Sequence, residues 1–142
     1  MASSHKPLRV ANKVEGIAPP LPVLSPAILS NGFVYCSGQI GSKADGKLVE
    51  GPIGGRVHQI MDNLDAVLRA HGSSLEHTVK FNIFITSYDT FAALNEAYKA
   101  RIPTPAPARS CIGVASLPYG TDVEIECVAV VPSAPGKTKA RL

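Results

Sequence analysis

Two charged residues near the C-terminal end of the chain have side chains suited to anion binding and acid–base chemistry. Arg109 opens an apolar segment, and an arginine guanidinium is planar, permanently charged and able to hold a carboxylate through two parallel hydrogen bonds. Glu124 lies in a second apolar segment, where a partly buried carboxylate with a raised pKa can take a proton from water near neutral pH. Both also have structural interpretations. Arg109 could be a surface arginine at the start of a strand, and Glu124 a salt-bridged strand glutamate, an alternative that weighs more for Glu126.

Cysteine and histidine chemistry has less support. The motif around Cys111 contains no histidine that could deprotonate the thiol, so packing is the favoured role of its sulfur. The histidines are not spaced like metal ligands; they are His5, His58, His71 and His77. The sequence therefore predicts no metal site, and histidines that are structural or solvated.

Two more residues are candidates for a binding site, and a third carries an amide on a helix. Gly38 either lets a ligand approach the backbone closely or marks a β-bulge. Gln39 carries an amide that could hydrogen-bond across an interface between chains. Asn95 falls on a predicted helix, where its amide would cap the helix or face solvent.

The elements that must position these residues begin with a hairpin. Asn31-Gly32 separates an apolar run at residues 27–30 from another at 33–40, and Asn-Gly readily adopts the positive φ values of a tight turn. A second turn is predicted at residues 44–47, which read Ala-Asp-Gly-Lys. Helical spacing of apolar residues then predicts an amphipathic helix over residues 56–71, ended by Gly72.

The second half of the chain alternates between strand and helix patterns. A period of two places four apolar residues on one face of a strand; they are Val79, Phe81, Ile83 and Ile85. A second helix, capped by Asp89 or Thr90, ends before the prolines at positions 103, 105 and 107. Its apolar stripe is Phe91, Leu94, Tyr98 and Ile102. Strands follow at about residues 109–116 and 122–131.

The element order β-β-α-β-α-β-β predicts an α+β fold in which two helices pack on one face of a mixed sheet. In the last strand Val123, Ile125, Cys127, Ala129 and Val131 share one face. Val128 and Val130 are nevertheless apolar on the opposite face, beside the two glutamates. An apolar second face in a two-layer protein predicts burial against another copy of the chain, and hence a homo-oligomer.

The bulk properties favour one domain that binds neither nucleic acid nor membrane. Of 142 residues, 45% are hydrophobic and 18% charged, which is ordinary for a packed domain. The net charge of +3 resides largely in the tails, and without Trp there is no platform for stacking bases. The expected organisation is a Pro-rich arm at residues 1–22, a domain at 23–132 and a flexible tail at 133–142.

The expected compartment is intracellular. Cys36, Cys111 and Cys127 are odd in number and lie in apolar runs, which favours reduced strand cysteines. The sequence contains no secretory signal and no apolar run long enough to cross a bilayer. The final Ala140-Arg141-Leu142 is similar to a peroxisomal address, so the predicted location is the cytoplasm or the peroxisome.

The segment from Pro107 to Pro118, which reads PARSCIGVASLP, resembles the signature of the RidA/YjgF family when taken with Val123-Glu124-Ile125-Glu126. The resemblance extends through Tyr35-Cys36-Ser37-Gly38-Gln39-Ile40 and covers nearly all of residues 24–131. It implies a chorismate-mutase-like fold, a homotrimer with pockets at its subunit interfaces, and no metal or organic cofactor. The implied activity is metabolite damage control, in which reactive enamine/imine intermediates such as 2-aminoacrylate are hydrolysed to keto acids and ammonia.

By this resemblance Arg109 and the backbone N–H of Cys111 would bind the substrate carboxylate, and Glu124 would activate the attacking water. Asn95, Gly38 and Gln39 would line the pocket as substrate-binding residues. The family is also described as an endoribonuclease, an activity for which the sequence contains no acid/base pair and no basic groove.

The chain departs from the family at two places. Leu24 stands where the family has a pocket tyrosine, which removes a hydroxyl, and Pro26 removes a backbone donor nearby. Arg101-Ile102 replaces an aromatic pair and would add positive charge to the rim. A larger, more apolar or more anionic substrate than 2-aminoacrylate is therefore expected. Imine deaminase is the first hypothesis, a ligand-binding or pathway-accessory protein with reduced deamination the second, and endoribonuclease the third.

Overall fold

A computed structural model describes residues 8–134 of the chain. Its strands are β1 (Ala27–Ser30), β2 (Phe33–Cys36), β3 (Gln39–Ile40), β4 (Thr78–Ile85), β5 (Ala108–Gly113) and β6 (Val123–Val130). Its helices are α1 (Ile53–Ala70) and α2 (Phe91–Lys99), with 3₁₀ turns at Leu75–His77, Tyr88–Thr90 and Pro118–Gly120. The predicted order is confirmed apart from β3, a two-residue strand that separates from the end of the predicted hairpin.

The six strands form one mixed sheet in the order β1-β2-β6-β4-β5, and β3 also pairs with β6. Among the described strands, only β4 and β5 pair in parallel. Helix α2 lies between them in the chain and brings the backbone back to the end of the sheet at which β4 began. The helices pack on the face that carries Phe81, Ile83 and Ile125, and together they form the hydrophobic core. The predicted α+β architecture is confirmed.

Helix α1 buries its predicted stripe, which consists of Val57, Ile60, Met61, Leu64, Val67 and Leu68. It begins at Ile53, earlier than predicted, directly after Pro52, which is well suited to a helix start because it lacks a backbone N–H. It ends at Ala70, and Gly72 follows with a φ of 81°, the left-handed conformation that commonly ends a helix.

Two tight turns agree with their sequence signals. Asn31 and Gly32 have φ values of 51° and 80° and join β1 to β2. In the second turn the Gly46 N–H donates to the Lys43 carbonyl, and the Asp45 carboxylate accepts from the Lys47 N–H. These turns formed as predicted because local residues satisfy their backbone groups.

Strand β4 departs from simple alternation at its start. Thr78 is buried and Val79 is 42% exposed, so the placement of Val79 on the inner face is wrong. The pairing of β4 with β6 shifts register between Thr78 and Lys80, and an extra residue in one strand reverses the faces on either side of it. From Phe81 to Ile85 the predicted alternation is confirmed.

Helix α2 is shorter than predicted, and Asp89 and Thr90 do not cap it through their side chains. Thr90 is the N-cap residue, but its hydroxyl donates to the Ser87 carbonyl. The side chain that accepts a backbone N–H here is Ser87, which bonds to Asp89 and caps the 3₁₀ turn before the helix. Ile102 lies beyond the helix yet still packs on the core.

The N-terminal residues that the structure describes pack against the domain. The Val10 N–H and C=O both pair with Leu29, which extends the sheet beyond β1 by one bridge. The Asn12 N–H donates to Nε2 of the buried His71, whose Nδ1 contacts the Val67 carbonyl. His71 is therefore structural, as predicted.

Two predictions concern residues outside 8–134: that for His5 and that for the C-terminal Ala-Arg-Leu. Most of the predicted tail at 133–142 also lies beyond the described part. Within the described residues, neither helix has the length and apolar character needed to span a membrane.

Candidate functional site

Arg109 lies on the edge strand β5 with its guanidinium held from several sides. Its Nη1 donates to the Asn95 Oδ1 at 2.7 Å. Its Cζ lies 5.0 Å from the centroid of the Tyr98 ring and 5.7 Å from that of Phe91, within the range of cation–π attraction. One hydrogen bond and two aromatic rings from α2 thus fix the direction of a half-buried cation.

Cys111 offers a backbone donor on the same strand. The Tyr88 hydroxyl donates to the Cys111 carbonyl at 2.7 Å from outside the sheet, so this carbonyl points away from β4. In an extended strand the N–H and C=O of one residue point to the same side, and the Cys111 N–H therefore also faces the free edge. We call Arg109, Asn95 and Cys111 the anion half-site.

The Cys111 thiol does not have the character of a nucleophile. Partial burial raises its pKa, and the neighbouring Arg109 charge opposes that effect only in part. A thiol with a raised pKa stays protonated at neutral pH and is a weak nucleophile. Packing is therefore the better-supported role for its sulfur, and the three cysteines are free, as predicted.

Glu124 lies in the middle of the sheet on β6, where Gly38 approaches it closely. A Cβ atom at position 38 would lie 2.7 Å from the Glu124 Cδ, so any side chain there would displace the carboxylate. Burial raises the pKa of Glu124, and the nearby Glu126 raises it further. Glycine at position 38 is thus explained by the space that the carboxylate needs. We call Glu124, Gly38, Gln39 and Leu24 the water half-site.

Gln39 and Leu24 lie beside Gly38. Gln39 pairs with Ile125 in the β3–β6 ladder and is half-buried. Leu24 precedes β1 and is 45% exposed. Both line, with Gly38, a cleft of about 500 Å³ between the N-terminal segment and the loop that follows β3. The structure therefore brings these predicted residues together.

The two half-sites lie on opposite faces of the sheet. Arg109 is in register with Phe81, whose side chain is on the helix-covered face. Glu124 is in register with Phe84, and adjacent strand residues point to opposite faces, so Glu124 lies on the face without helices. One copy of the chain therefore cannot present Arg109 and Glu124 to the same small molecule.

The face without helices is rich in apolar side chains. Phe33, Tyr35 and Ile112 are 38%, 50% and 51% exposed. Val128 and Val130 lie between them on β6 and are half-buried, in the alternation predicted for this strand. Polar groups on this face pair with one another, as where Asn82 donates to the Glu126 carboxylate at 2.9 Å.

The positive charge that Arg101 is expected to add to a pocket rim is paired with a carboxylate in the structure. Its Nη2 bonds to the Asp62 carboxylate at 2.6 Å, and its Nη1 donates to the His58 carbonyl. Both partners belong to α1, so the guanidinium is bound to a helix surface and its charge is balanced there.

The sequence analysis missed the aromatic residues around Arg109. The sequence pattern places Phe91 and Tyr98 in a core stripe and indicates no role for Tyr88. In the structure Tyr88 lies 5.4 Å from Phe91, ring centroid to ring centroid, and so supports both Arg109 and Cys111. Helical spacing of Phe91 and Tyr98 was the available signal, but that spacing equally describes a buried face.

The fold and the two half-sites define a small α+β protein in which an immobilised arginine and a pKa-shifted glutamate lie on opposite sheet faces. Residues 16–131 match the family model described as Endoribonuclease L-PSP. The chain belongs to this family, which is the RidA/YjgF family that the sequence resembles.

Individual relatives cover most of the chain. A Schizosaccharomyces pombe protein named mmf1, mitochondrial, is 48% identical over 107 residues, 73% of this chain and 65% of that protein. A 2-iminobutanoate/2-iminopropanoate deaminase of Dermatophagoides farinae is 40% identical over 113 residues, 79% of this chain and 88% of that protein. The crystal structure of yeast Mmf1 superposes with a TM-score of 0.85 at 38% identity, covering 87% of this chain and 99% of that one. The peroxisomal prediction gains no support from these names.

Proposed function

We propose that the chain is a hydrolase that converts reactive 2-enamine and 2-imino acids to 2-keto acids and ammonia. Each pocket would combine the anion half-site of one copy with the water half-site of another in a homotrimer. The observation that carries this proposal is the immobilised Arg109 beside an outward-facing N–H at Cys111. That pair has the geometry of a carboxylate clamp, because a guanidinium and a neighbouring backbone donor can bind the two oxygens of one anion.

The reaction follows from where each group lies. Arg109 and the Cys111 N–H hold the substrate carboxylate, which places the adjacent C=N carbon towards the partner copy. Glu124 of that copy takes a proton from water as the water oxygen bonds to the carbon of the protonated C=N group, giving a neutral carbinolamine. The same carboxyl then gives this proton to the carbinolamine nitrogen and takes the proton of the new hydroxyl as the C–N bond breaks, so that the keto acid and ammonia leave and ammonia or solvent takes the last proton from Glu124.

The environment of Glu124 suits this task. Its pKa is raised by burial and by Glu126, which moves it towards neutral pH, where a carboxylate is a more effective base. Asn82 holds Glu126 by a hydrogen bond, so the neighbouring charge that contributes to the shift has a defined position. Apolar side chains around the site would exclude bulk water once two copies are in contact.

A direct experiment tests the proposal. An amino-acid oxidase generates 2-imino acids in the presence of semicarbazide, which traps the imine, and purified full-length chain is then added. We expect keto-acid release to accelerate at the expense of the semicarbazone, and Arg109→Ala to remove most of the effect. If the correctly folded protein accelerates keto-acid release from none of the 2-imino acids, the proposed hydrolase activity is wrong.

Leu24 favours a second candidate function, a ligand-binding or pathway-accessory protein with reduced deamination. It replaces a tyrosine of the family beside Gly38, so a hydroxyl that could hydrogen-bond to the substrate or to the attacking water is missing. A Leu24→Tyr variant separates the two functions. A large gain in deamination would support the accessory protein, whereas unchanged or lower activity would support a working site with altered specificity.

A further inference from the structure

The cleft lined by Leu24, Gly38 and Gln39 of the water half-site extends away from Glu124 into largely apolar surroundings. Exposed apolar side chains gather there: Leu21 is 53% exposed, Leu24 45% and Tyr119 77%. Prolines at positions 19, 20 and 26 add further apolar surface. Asp45 is the single charged residue among those described that line the cleft, and its carboxylate accepts a hydrogen bond from the Lys47 N–H.

Tyr119 is held in a strained position at this cleft. Its φ of 56° is in the left-handed region, which a residue with a Cβ rarely adopts, within the turn Pro118–Gly120 that precedes β6. The ring is exposed, and Gly120, which follows it directly, also has a positive φ, of 69°. Backbone strain of this kind is concentrated at functional sites.

The cleft adjoins the water half-site through Gly38. This residue lines the cleft, and the Glu124 carboxylate occupies the space that a Cβ atom at position 38 would need. The volume of about 500 Å³ is within the usual range of small-molecule sites, about 300–1,000 Å³. A substrate whose C=N carbon lies at Glu124 could therefore extend its side chain past Gly38 into apolar surroundings.

We infer that this cleft is a specificity subsite for the uncharged, apolar side chain of the substrate, of the size of a leucine or methionine side chain. The inference rests on the proposed function. Leu24 and Tyr119 form its walls, Gly38 connects it to the reacting atoms, and Asp45 disfavours a second carboxylate by charge repulsion. The loss of the hydroxyl at position 24 is then a gain of apolar surface.

The test compares two substrates in the imine-trapping assay: the imines derived from leucine and from alanine. We expect kcat/KM to be at least about tenfold higher for the larger imine, because one additional methylene group in an apolar pocket is enough for that discrimination. Leu24→Ala and Tyr119→Gly should bring the ratio towards one, chiefly through KM for the larger substrate. Both residues are exposed, and glycine relieves the positive φ at position 119, so neither change disturbs the core.

Val23→Ala is the matched control. Val23 is the neighbour of Leu24 and 87% exposed, but it does not line the cleft, so the substrate ratio should stay at the wild-type value. A wild-type ratio near one, or a ratio that Leu24→Ala and Tyr119→Gly leave unchanged, would overturn the subsite while deamination stands.

A binding measurement decides the case in which no imine is hydrolysed and the proposed function fails. Calorimetry with 4-methyl-2-oxopentanoate and pyruvate measures the side-chain preference without catalysis. Tighter binding of the larger keto acid by about tenfold, lost in Leu24→Ala, would support the subsite. Equal affinities would overturn it.

Discussion

The two half-sites are built on different physical principles. In the anion half-site Arg109 is bonded to Asn95 at 2.7 Å and packs against two rings. In the water half-site Glu124 has no side-chain hydrogen bond within residues 8–134, and it lies against a glycine with a second carboxylate nearby. In the proposed mechanism Arg109 must keep its charge and direction, and attractive contacts enclose it. Glu124 must change its protonation in that mechanism, and no such contacts offset burial and Glu126, which raise its pKa.

The largest loss of activity should occur when either half-site loses its charged side chain, and mixing the two variants then tests whether each pocket is shared between copies. Arg109→Ala and Glu124→Gln should each lower kcat/KM by about 100-fold or more, since each removes the clamp or the base. Trimers that contain both variants should recover about a third of wild-type activity, because each such trimer has one complete pocket among its three subunit interfaces. Activity of differently tagged, co-purified oligomers is the measurement.

A site contained within one copy would give a different result. Every chain in the mixture would then carry one defective half, and no pocket would be complete. Recovery no greater than the sum of the two separate variants would therefore refute the shared pocket, provided that mixed oligomers are isolated by sequential affinity steps.

The next largest effect is a loss of stability when the ion pair that precedes Glu124 in the chain is broken. Arg56 on α1 forms two hydrogen bonds with Asp122, at 2.6 and 2.7 Å, just before β6 and Glu124. These bonds raise the pKa of Arg56, and both side chains are mostly buried, at 14% and 30% exposed. Arg56→Met should lower the free energy of unfolding by about 2–3 kcal/mol, because the Asp122 carboxylate loses its partner. Denaturant unfolding measures this.

A surface pair provides the control for Arg56. Arg69 bonds to Asp65 one helical turn away, but the arginine side chain is 68% exposed. Arg69→Met should leave the denaturation midpoint nearly unchanged, because solvent screens an exposed pair. If Arg56→Met and Arg69→Met lose the same unfolding free energy, burial does not account for the contribution of the Arg56–Asp122 pair.

The comparison also predicts a trade-off between stability and activity at Glu124. Its pKa is higher in the folded chain than the ordinary 4.5, so ionisation opposes folding above that value. Glu124→Gln should therefore melt at a higher temperature than the wild type near neutral pH, and the difference should vanish below the ordinary pKa, where both states are protonated. Thermal melts across this pH range measure it, and a variant less stable at neutral pH would contradict the shift.

Glu126→Gln refines the same prediction. Removing the second carboxylate takes away one cause of the raised pKa of Glu124, while the amide oxygen can still accept from Asn82. The acid limb of the kcat/KM profile should move to lower pH without a large change in the plateau. An unmoved limb would mean that burial alone sets the pKa.

The smallest effect is expected at the aromatic frame of the anion half-site. The Tyr98 hydroxyl is buried and has no hydrogen-bond partner among the described residues, and burial raises its pKa. Tyr98→Phe keeps the ring beneath Arg109 and removes the unpaired hydroxyl, so stability should rise by about 1 kcal/mol or less with activity nearly unchanged. A large fall in activity would instead give the hydroxyl a role in the pocket.

Most of the fold could be predicted because its signals are local. The Asn31-Gly32 turn, the stripe of α1 and the alternation in β6 each depend on neighbouring residues and on burial of one face. Three details could not be predicted: β3, the register shift at Thr78, and the cap at Ser87. Each depends on which groups a segment meets after folding, such as the pairing of β3 with a strand far along the chain.

The sequence by itself determined the chemistry available to this protein. It identified Arg109 and Glu124, showed that Leu24 departs from the family pattern, and left an apolar face beside Glu124 that needed a cover. Only the tertiary structure decided that the two charged residues point to opposite faces, because that depends on strand order and register, which long-range pairing sets. The enclosure of Arg109 by α2 and the contact of Gly38 with Glu124 arise in the same way, from segments brought together by the common core.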